Sequence, residues 1–185
     1  MTREKRKNKI MSENLAKRKD IRLKDYDYSE PGAYFITICT KNKEKLLWEG
    51  ELDIQNFDCK SVGAHRVRPC GLPLSEMGIV VEQKLNQWDI AYENVSLSSY
   101  VIMPNHLHIV VVILPDENGR TRCAPTVSRM VKMFKETVTK QLGENIWQKL
   151  FYDHIIRNKN EYEEISKYIY ENPLKWQFDE LYCEE

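Results

Sequence analysis

Two short segments hold the side chains best suited to chemistry. The first is Met103-Pro104-Asn105-His106-Leu107-His108-Ile109-Val110-Val111-Val112. On a strand successive side chains alternate faces, so His106 and His108 point the same way while Leu107 points the other. Two imidazoles at that spacing on a rigid strand make half of a divalent-metal site, or else a pair of strand-end histidines satisfied by hydrogen bonds. Several two-histidine chemistries are excluded. An alternating run of three histidines would need a third at Val110, and the two-histidine phosphodiesterases need Thr or Ser two residues after each His. The zincin pattern H-E-x-x-H is absent. The remaining ligand and any nucleophile must come from elsewhere. The second segment, Tyr168-Ile169-Tyr170-Glu171-Asn172-Pro173, offers both. Tyr168 and Asn172 stand at i and i+4 of a helix, on one face. Pro173 disfavours helical geometry at Asn172, which leaves its amide oxygen available as a ligand. A tyrosine hydroxyl is a weak nucleophile near its ordinary pKa of about 10, and a divalent ion helps by polarising the phosphate under attack. Tyr-x-x-x-Asn alone also fits a purely structural tyrosine.

These residues need a scaffold, and the chain reads as one from residue 26 onward. Residues 32–40 are β-branched and aromatic, which predicts a strand, with a short partner at 45–48. Residues 50–73 are polar and turn-rich. Ser75 has the character of an N-cap for an amphipathic helix over 76–92. Strands are expected over 95–103 and 107–114, hinged at Pro104-Asn105. After a loop at 115–125 comes a helix over 126–142, with Val127, Met130, Val131, Phe134 and Val138 on one face. Residues 146–156 look extended, and a last helix covers 159–171. The order ββαββαβα, with two strands joined by a Pro-Asn turn, gives an α+β domain: an antiparallel sheet with helices on it.

Composition narrows the class. The 185 residues suit a single domain. With 42% hydrophobic and 30% charged residues the chain carries enough apolar material for a core. The longest apolar run, 109–114, is far short of the roughly 20 residues of a spanning helix, so no membrane is expected. The N-terminus lacks the apolar stretch of a secretory signal. Five scattered cysteines without a C-x-x-C pair argue against a disulfide framework and for a reducing cytoplasm. The 28 basic and 28 acidic residues cancel overall but not locally. Residues 1–24 hold ten Lys and Arg, among them Lys17, Arg18 and Lys19, against three acids; residues 161–185 hold eight acids against two Lys. The basic arm suits a polyanion or is simply a solvated tail. Two arginine pairs, Arg66 with Arg68 and Arg120 with Arg122, sit in the two long loops and are candidates for nucleic-acid contact.

His-hydrophobic-His followed by Tyr-x-x-x-Asn resembles the single-tyrosine HUH transposases, specifically the REP-associated tyrosine transposases. The resemblance spans residues 25–177. Four stretches carry it: 32–40 (GAYFITICT), 101–109 (VIMPNHLHI), 147–157 (WQKLFYDHIIR) and 168–176 (YIYENPLKW). It implies a ferredoxin-like, RRM-like HUH core over 25–178, between a flexible arm at 1–24 and an acidic tail at 179–185. It also implies that His106, His108 and Asn172 bind Mg²⁺ or Mn²⁺ and that Tyr168 is the nucleophile. His154 would support the site or contact DNA. The implied activity is metal-assisted cleavage and rejoining of hairpin-forming, palindromic single-stranded DNA through a 5′-phosphotyrosine, by a monomer or a homodimer associated with the nucleoid. A domesticated, non-catalytic DNA-binding protein on the same fold is the main alternative, and a metal-dependent phosphoester hydrolase the second.

Overall fold

The β-branched runs become the middle of one sheet. The computed structural model describes residues 30–55, 57–61, 67–115 and 126–183. Its elements are β1 (Gly32–Cys39), β2 (Asp58–Ser61), β3 (Val67–Cys70), α1 (Glu76–Leu85), α2 (Trp88–Ala91), β4 (Val95–Ile102), β5 (His106–Ile113), α3 (Val127–Leu142), β6 (Tyr152–Ile156) and α4 (Lys159–Glu171). A 3-10 turn, Lys41–Lys43, follows β1, and a longer 3-10 segment, Asn172–Phe178, follows α4. The strand order is β2-β3-β4-β5-β1-β6. From β4 to β6 every neighbouring pair is antiparallel. This is the expected α+β architecture, a four-stranded antiparallel sheet with helices packed on it. The β2–β3 hairpin extends one edge, joined to β4 in parallel at Val67 and Ser99.

Register decides which residues meet. β1 runs against β5 with Cys39 opposite His106 and Thr37 opposite His108. The β4–β5 turn is tight, the Met103 amide donating to the His106 carbonyl at 2.8 Å. Leu107, Ile109, Val111 and Ile113 point into the main core with Val81 and Leu85 of α1 and Val131, Phe134 and Val138 of α3. Val110 points the other way, into a smaller core with Val101, Met103 and Ile169 of α4. The same alternation puts His106 and His108 on the α4 face. One strand therefore anchors the fold with its odd-numbered side chains and presents chemistry with two of its even ones.

Local signals place the helices. Ser75 caps α1 by accepting from the Gly78 amide at 3.1 Å, and its hydroxyl donates to the Leu46 carbonyl at 2.6 Å. Gly78 is required by close approach: a Cβ there would lie 2.2 Å from the Leu47 carbonyl oxygen. Thr126 caps α3, and Gly143, with φ 80, ends it in the left-handed conformation. Asn158 caps α4.

Four expectations need correction. Residues 45–48 form no strand; only Trp48 makes a lone bridge, to Leu74. The partners lie instead within the stretch read as loop, as β2 and β3. The helix expected over 76–92 breaks after Leu85, and α2 is a separate turn. That break lets the Asp89 carboxylate accept from the Leu97 amide at 2.7 Å, beside the β-bulge between Leu97 and Ser99. Of the extended stretch 146–156 only Tyr152–Ile156 joins the sheet, with Trp147 bridging Thr40. Lys17, Arg18, Lys19, Arg66, Arg120 and Arg122 lie outside the described residues, and Arg68 is placed only by its backbone in β3. No helix among the described residues is long and apolar enough to cross a membrane.

Candidate functional site

Asn105, the last residue of the β4–β5 turn, sets the chemistry of the first histidine. Its Nδ2 donates to the Leu181 carbonyl at 2.9 Å and the Lys43 carbonyl at 3.3 Å. The amide is thus oriented with Oδ1 facing His106 Nδ1 at 2.7 Å. An amide oxygen only accepts, so His106 carries its proton on Nδ1 and bears a lone pair on Nε2. His108 Nδ1 lies 2.9 Å from the Thr37 hydroxyl, which can donate or accept and so serves either tautomer. The two Nε2 atoms are 3.0 Å apart. Adjacent ligands of an octahedral cation at about 2.1 Å would be about 3.0 Å apart, the same spacing.

Burial keeps both rings neutral. His106 is held well below its ordinary pKa, by desolvation first and by the neighbouring His108 second. His108 is lowered by burial against the opposing pull of Asp179. Neutral imidazole is the form that ligates a metal.

Tyr168 and Asn172 reach the same point from α4. The Tyr168 hydroxyl oxygen is 3.2 Å from His108 Nε2 in the same chain. Phe35 stacks on the His108 ring at 5.1 Å and meets Tyr168 edge-on at 6.3 Å, so one aromatic spaces both. Tyr168 stays 45% exposed, which leaves its oxygen reachable by a large substrate. Asn172 is buried.

The residue that the sequence reading left out is Asp179. The boundary expected at 178 does not separate it from the domain, because the 3-10 segment turns the chain back over the site. Asp179 Oδ2 lies 4.0 Å from His106 Nε2 and 3.9 Å from His108 Nε2. It accepts from the Tyr168 hydroxyl at 3.0 Å and from Asn172 Nδ2 at 2.8 Å. Burial pushes the Asp179 carboxyl up, but the facing His108 ring, Asn172 and the Leu181 amide outweigh it and hold the group well below the carboxylate range. Tyr168 is pushed up, by burial first and then by the Asp179 charge. Asp179, His106 and His108 form a cluster with the spacing of a metal site. Asn172 Oδ1 is buried without a hydrogen-bond partner. Two neutral imidazoles, one carboxylate and one free amide oxygen fit a divalent cation. Their only local sequence signal was an acid shortly after a helix-ending proline, which composition reads as a tail.

His154 lies elsewhere. Its Nε2 contacts Glu161 Oε1 at 2.6 Å, and Glu161 Oε2 accepts from the Arg157 amide at 2.7 Å. The Arg157 amide first, and His154 next, hold the Glu161 carboxyl below its ordinary value. The pair ties β6 to the first turn of α4, the helix that carries Tyr168.

No family model matches the chain. An uncharacterized protein of Haemophilus influenzae is 32% identical over 186 residues, covering 90% of this chain and 94% of that one. The REP-associated tyrosine transposase of Escherichia coli is 30% identical over 80 residues. The chain is similar to REP-associated tyrosine transposases over part of its length. The match to the Escherichia coli member spans 43% of this chain and 44% of that protein. A solved structure of a REP-associated tyrosine transposase bound to a REP hairpin shares the fold, with a TM-score of 0.54 and 21% identity over 85% of this chain and 76% of the other.

Proposed function

We propose that the protein is a DNA strand transferase that cleaves and rejoins hairpin-forming single-stranded DNA through a covalent bond to Tyr168. One observation carries the reading: in a single chain the Tyr168 hydroxyl lies within hydrogen-bond reach of both His108 Nε2 and Asp179 Oδ2. Partial similarity to REP-associated tyrosine transposases supports it, as does the fold shared with one of them solved bound to a REP hairpin.

His106, His108 and Asp179 would hold Mg²⁺ or Mn²⁺. Asn172 fixes Asp179 through Nδ2 and leaves Oδ1 as a further ligand. When bound, the cation neutralises charge on the scissile phosphate and polarises it toward attack. The chain's own residues do the rest. Tyr168 is held by Phe35 and α4 with its oxygen at the edge of the cluster. Asp179 Oδ2 accepts from the Tyr168 hydroxyl and orients it. The phenolic oxygen loses its proton to solvent as it bonds to phosphorus, and the 3′-oxygen departs and takes up a proton from solvent to become the 3′-hydroxyl. A 5′-phosphotyrosine keeps the energy of the broken bond, so a DNA 3′-hydroxyl can reverse the step and join strands. Asn105 and Thr37 hold the histidines, and Glu161 with His154 anchors the start of α4.

A suicide oligonucleotide carrying the hairpin and its flank, incubated with Mn²⁺, tests this. Wild type forms a covalent adduct and Tyr168→Phe forms none. Phosphoester turnover that survives Tyr168→Phe would instead mark a hydrolase, and DNA binding without any adduct a non-catalytic protein. Mixing Tyr168→Phe with His106→Ala restores no adduct, because tyrosine and histidines act within one chain; restoration would mean exchange between chains.

A further inference from the structure

A second feature lies on the α3 side of the sheet, opposite the α4 face that carries the cluster. Helix α3 and residues 145–151 enclose an open groove of about 790 Å³. Lys41, Lys132, Lys135, Lys140 and Lys149 line it, with Glu136 the sole acid among the described residues. Glu136 pairs with Lys132 at 3.7 Å. Among the described residues no carboxylate pairs with Lys41, Lys140 or Lys149. Lys135 is committed inward, donating to the Gln148 and Leu150 carbonyls at 2.9 and 3.0 Å and shaping the wall. Trp147 also lines the groove. It is 3% exposed, and its indole N–H, the ring's only polar atom, has no acceptor. Excess positive charge along a cleft suits an anionic polymer.

The groove is coupled to the site through a short chain of contacts. Trp147 bridges Thr40 in the backbone, and the Lys41 amide donates to the Ile146 carbonyl at 2.7 Å. The Thr40 hydroxyl donates to the Asn105 carbonyl at 2.9 Å, and Asn105 holds His106. Trp147 is too buried to stack on a base, so the groove would bind backbone rather than read sequence. We infer that this lysine groove is a docking track for the phosphodiester backbone of the DNA that enters the catalytic cluster. The inference rests on the strand-transferase reading and adds a contact surface to it. Lys132 and Lys140 are eight residues apart on α3, about 12 Å along the helix. That length spans about three phosphates of one strand at 3.4 Å each.

The test is the salt dependence of hairpin-DNA binding in the Tyr168→Phe background, where covalent chemistry cannot intervene. The triple variant Lys41→Gln, Lys140→Gln, Lys149→Gln removes three exposed cations and leaves the catalytic cluster intact. Three lost phosphate contacts lower the slope of log affinity against log salt by about 2.7. Between 50 and 200 mM salt, wild-type groove affinity then falls about 40-fold more than that of the variant. An unchanged slope in a triple variant with normal circular dichroism overturns the groove assignment and leaves the strand-transferase reading standing. Failure of the unmodified groove to bind hairpin DNA at any salt concentration overturns both.

Discussion

Replacing Asn105 by Ala isolates the link between a turn residue and the histidine pair. Asn105 is 1% exposed and makes three hydrogen bonds, two as donor and one as acceptor. Truncation leaves the His106 Nδ1–H and the Leu181 carbonyl without these partners. At the usual penalty for unsatisfied buried groups this costs about 2–4 kcal/mol. For a chain of this size the loss lowers Tm by roughly 4–16 °C. It also frees the His106 tautomer. Removing the partner that orients a ligating histidine weakens metal binding by about 10–100-fold. Asn105→Asp is the control, because it keeps the acceptor for His106 and loses the two donor bonds: it shares the Tm loss and keeps most of the affinity. Calorimetric Mn²⁺ titration of wild type and both variants, at a temperature where all are folded, reads the two effects separately. If Asn105→Ala binds Mn²⁺ as wild type does, Asn105 does not set the His106 lone pair and the account of the site is wrong.

Three further outcomes follow from the packing. Gly78→Ala drives a methyl into the Leu47 carbonyl and destabilises by about 1–3 kcal/mol, read as a shift in urea midpoint at constant m. Lys135 is lowered by burial from 10.5 to about 8, so the unfolded chain binds more protons between those values and Tm rises with pH across that window. In Lys135→Met that rise, followed by scanning calorimetry against pH, is absent. His154→Ala loosens β6 from α4 and lowers Tm, yet leaves Mn²⁺ affinity unchanged, since His154 belongs to the Glu161 contact and not to the histidine cluster; a tenfold affinity loss would return it to the ligand set.

Much of this was legible in sequence because it is periodic. Strand alternation put His106 and His108 together, and helical spacing put Tyr168 one turn from Asn172. What escaped depends on contacts that no period encodes. Asp179 reaches the site only because Pro173 converts the end of α4 into a 3-10 segment that folds back. Asn105 reads as a turn former, and its role shows only when Lys43 and Leu181 arrive to orient its amide. The β2–β3 hairpin was hidden because Pro69 argues against a strand; β3 tolerates it because its pairing with β4 is limited to Val67 and Ser99. The break after Leu85 answers a bulge in β4, an element with no trace in the sequence of the helix. The sheet edge and the Asp179 carboxylate were therefore the least predictable parts, both being set by tertiary contact.

The central claim is that Tyr168, among ten tyrosines, forms the covalent bond to DNA. Mass spectrometry of the protease-digested adduct from the Mn²⁺ reaction tests it directly. The account predicts a 5′-phosphorylated nucleotide on the peptide containing Tyr168, and the same peptide unmodified when Mn²⁺ is omitted. A nucleotide on any other residue, or no adduct from a protein that binds both Mn²⁺ and the hairpin, would contradict it.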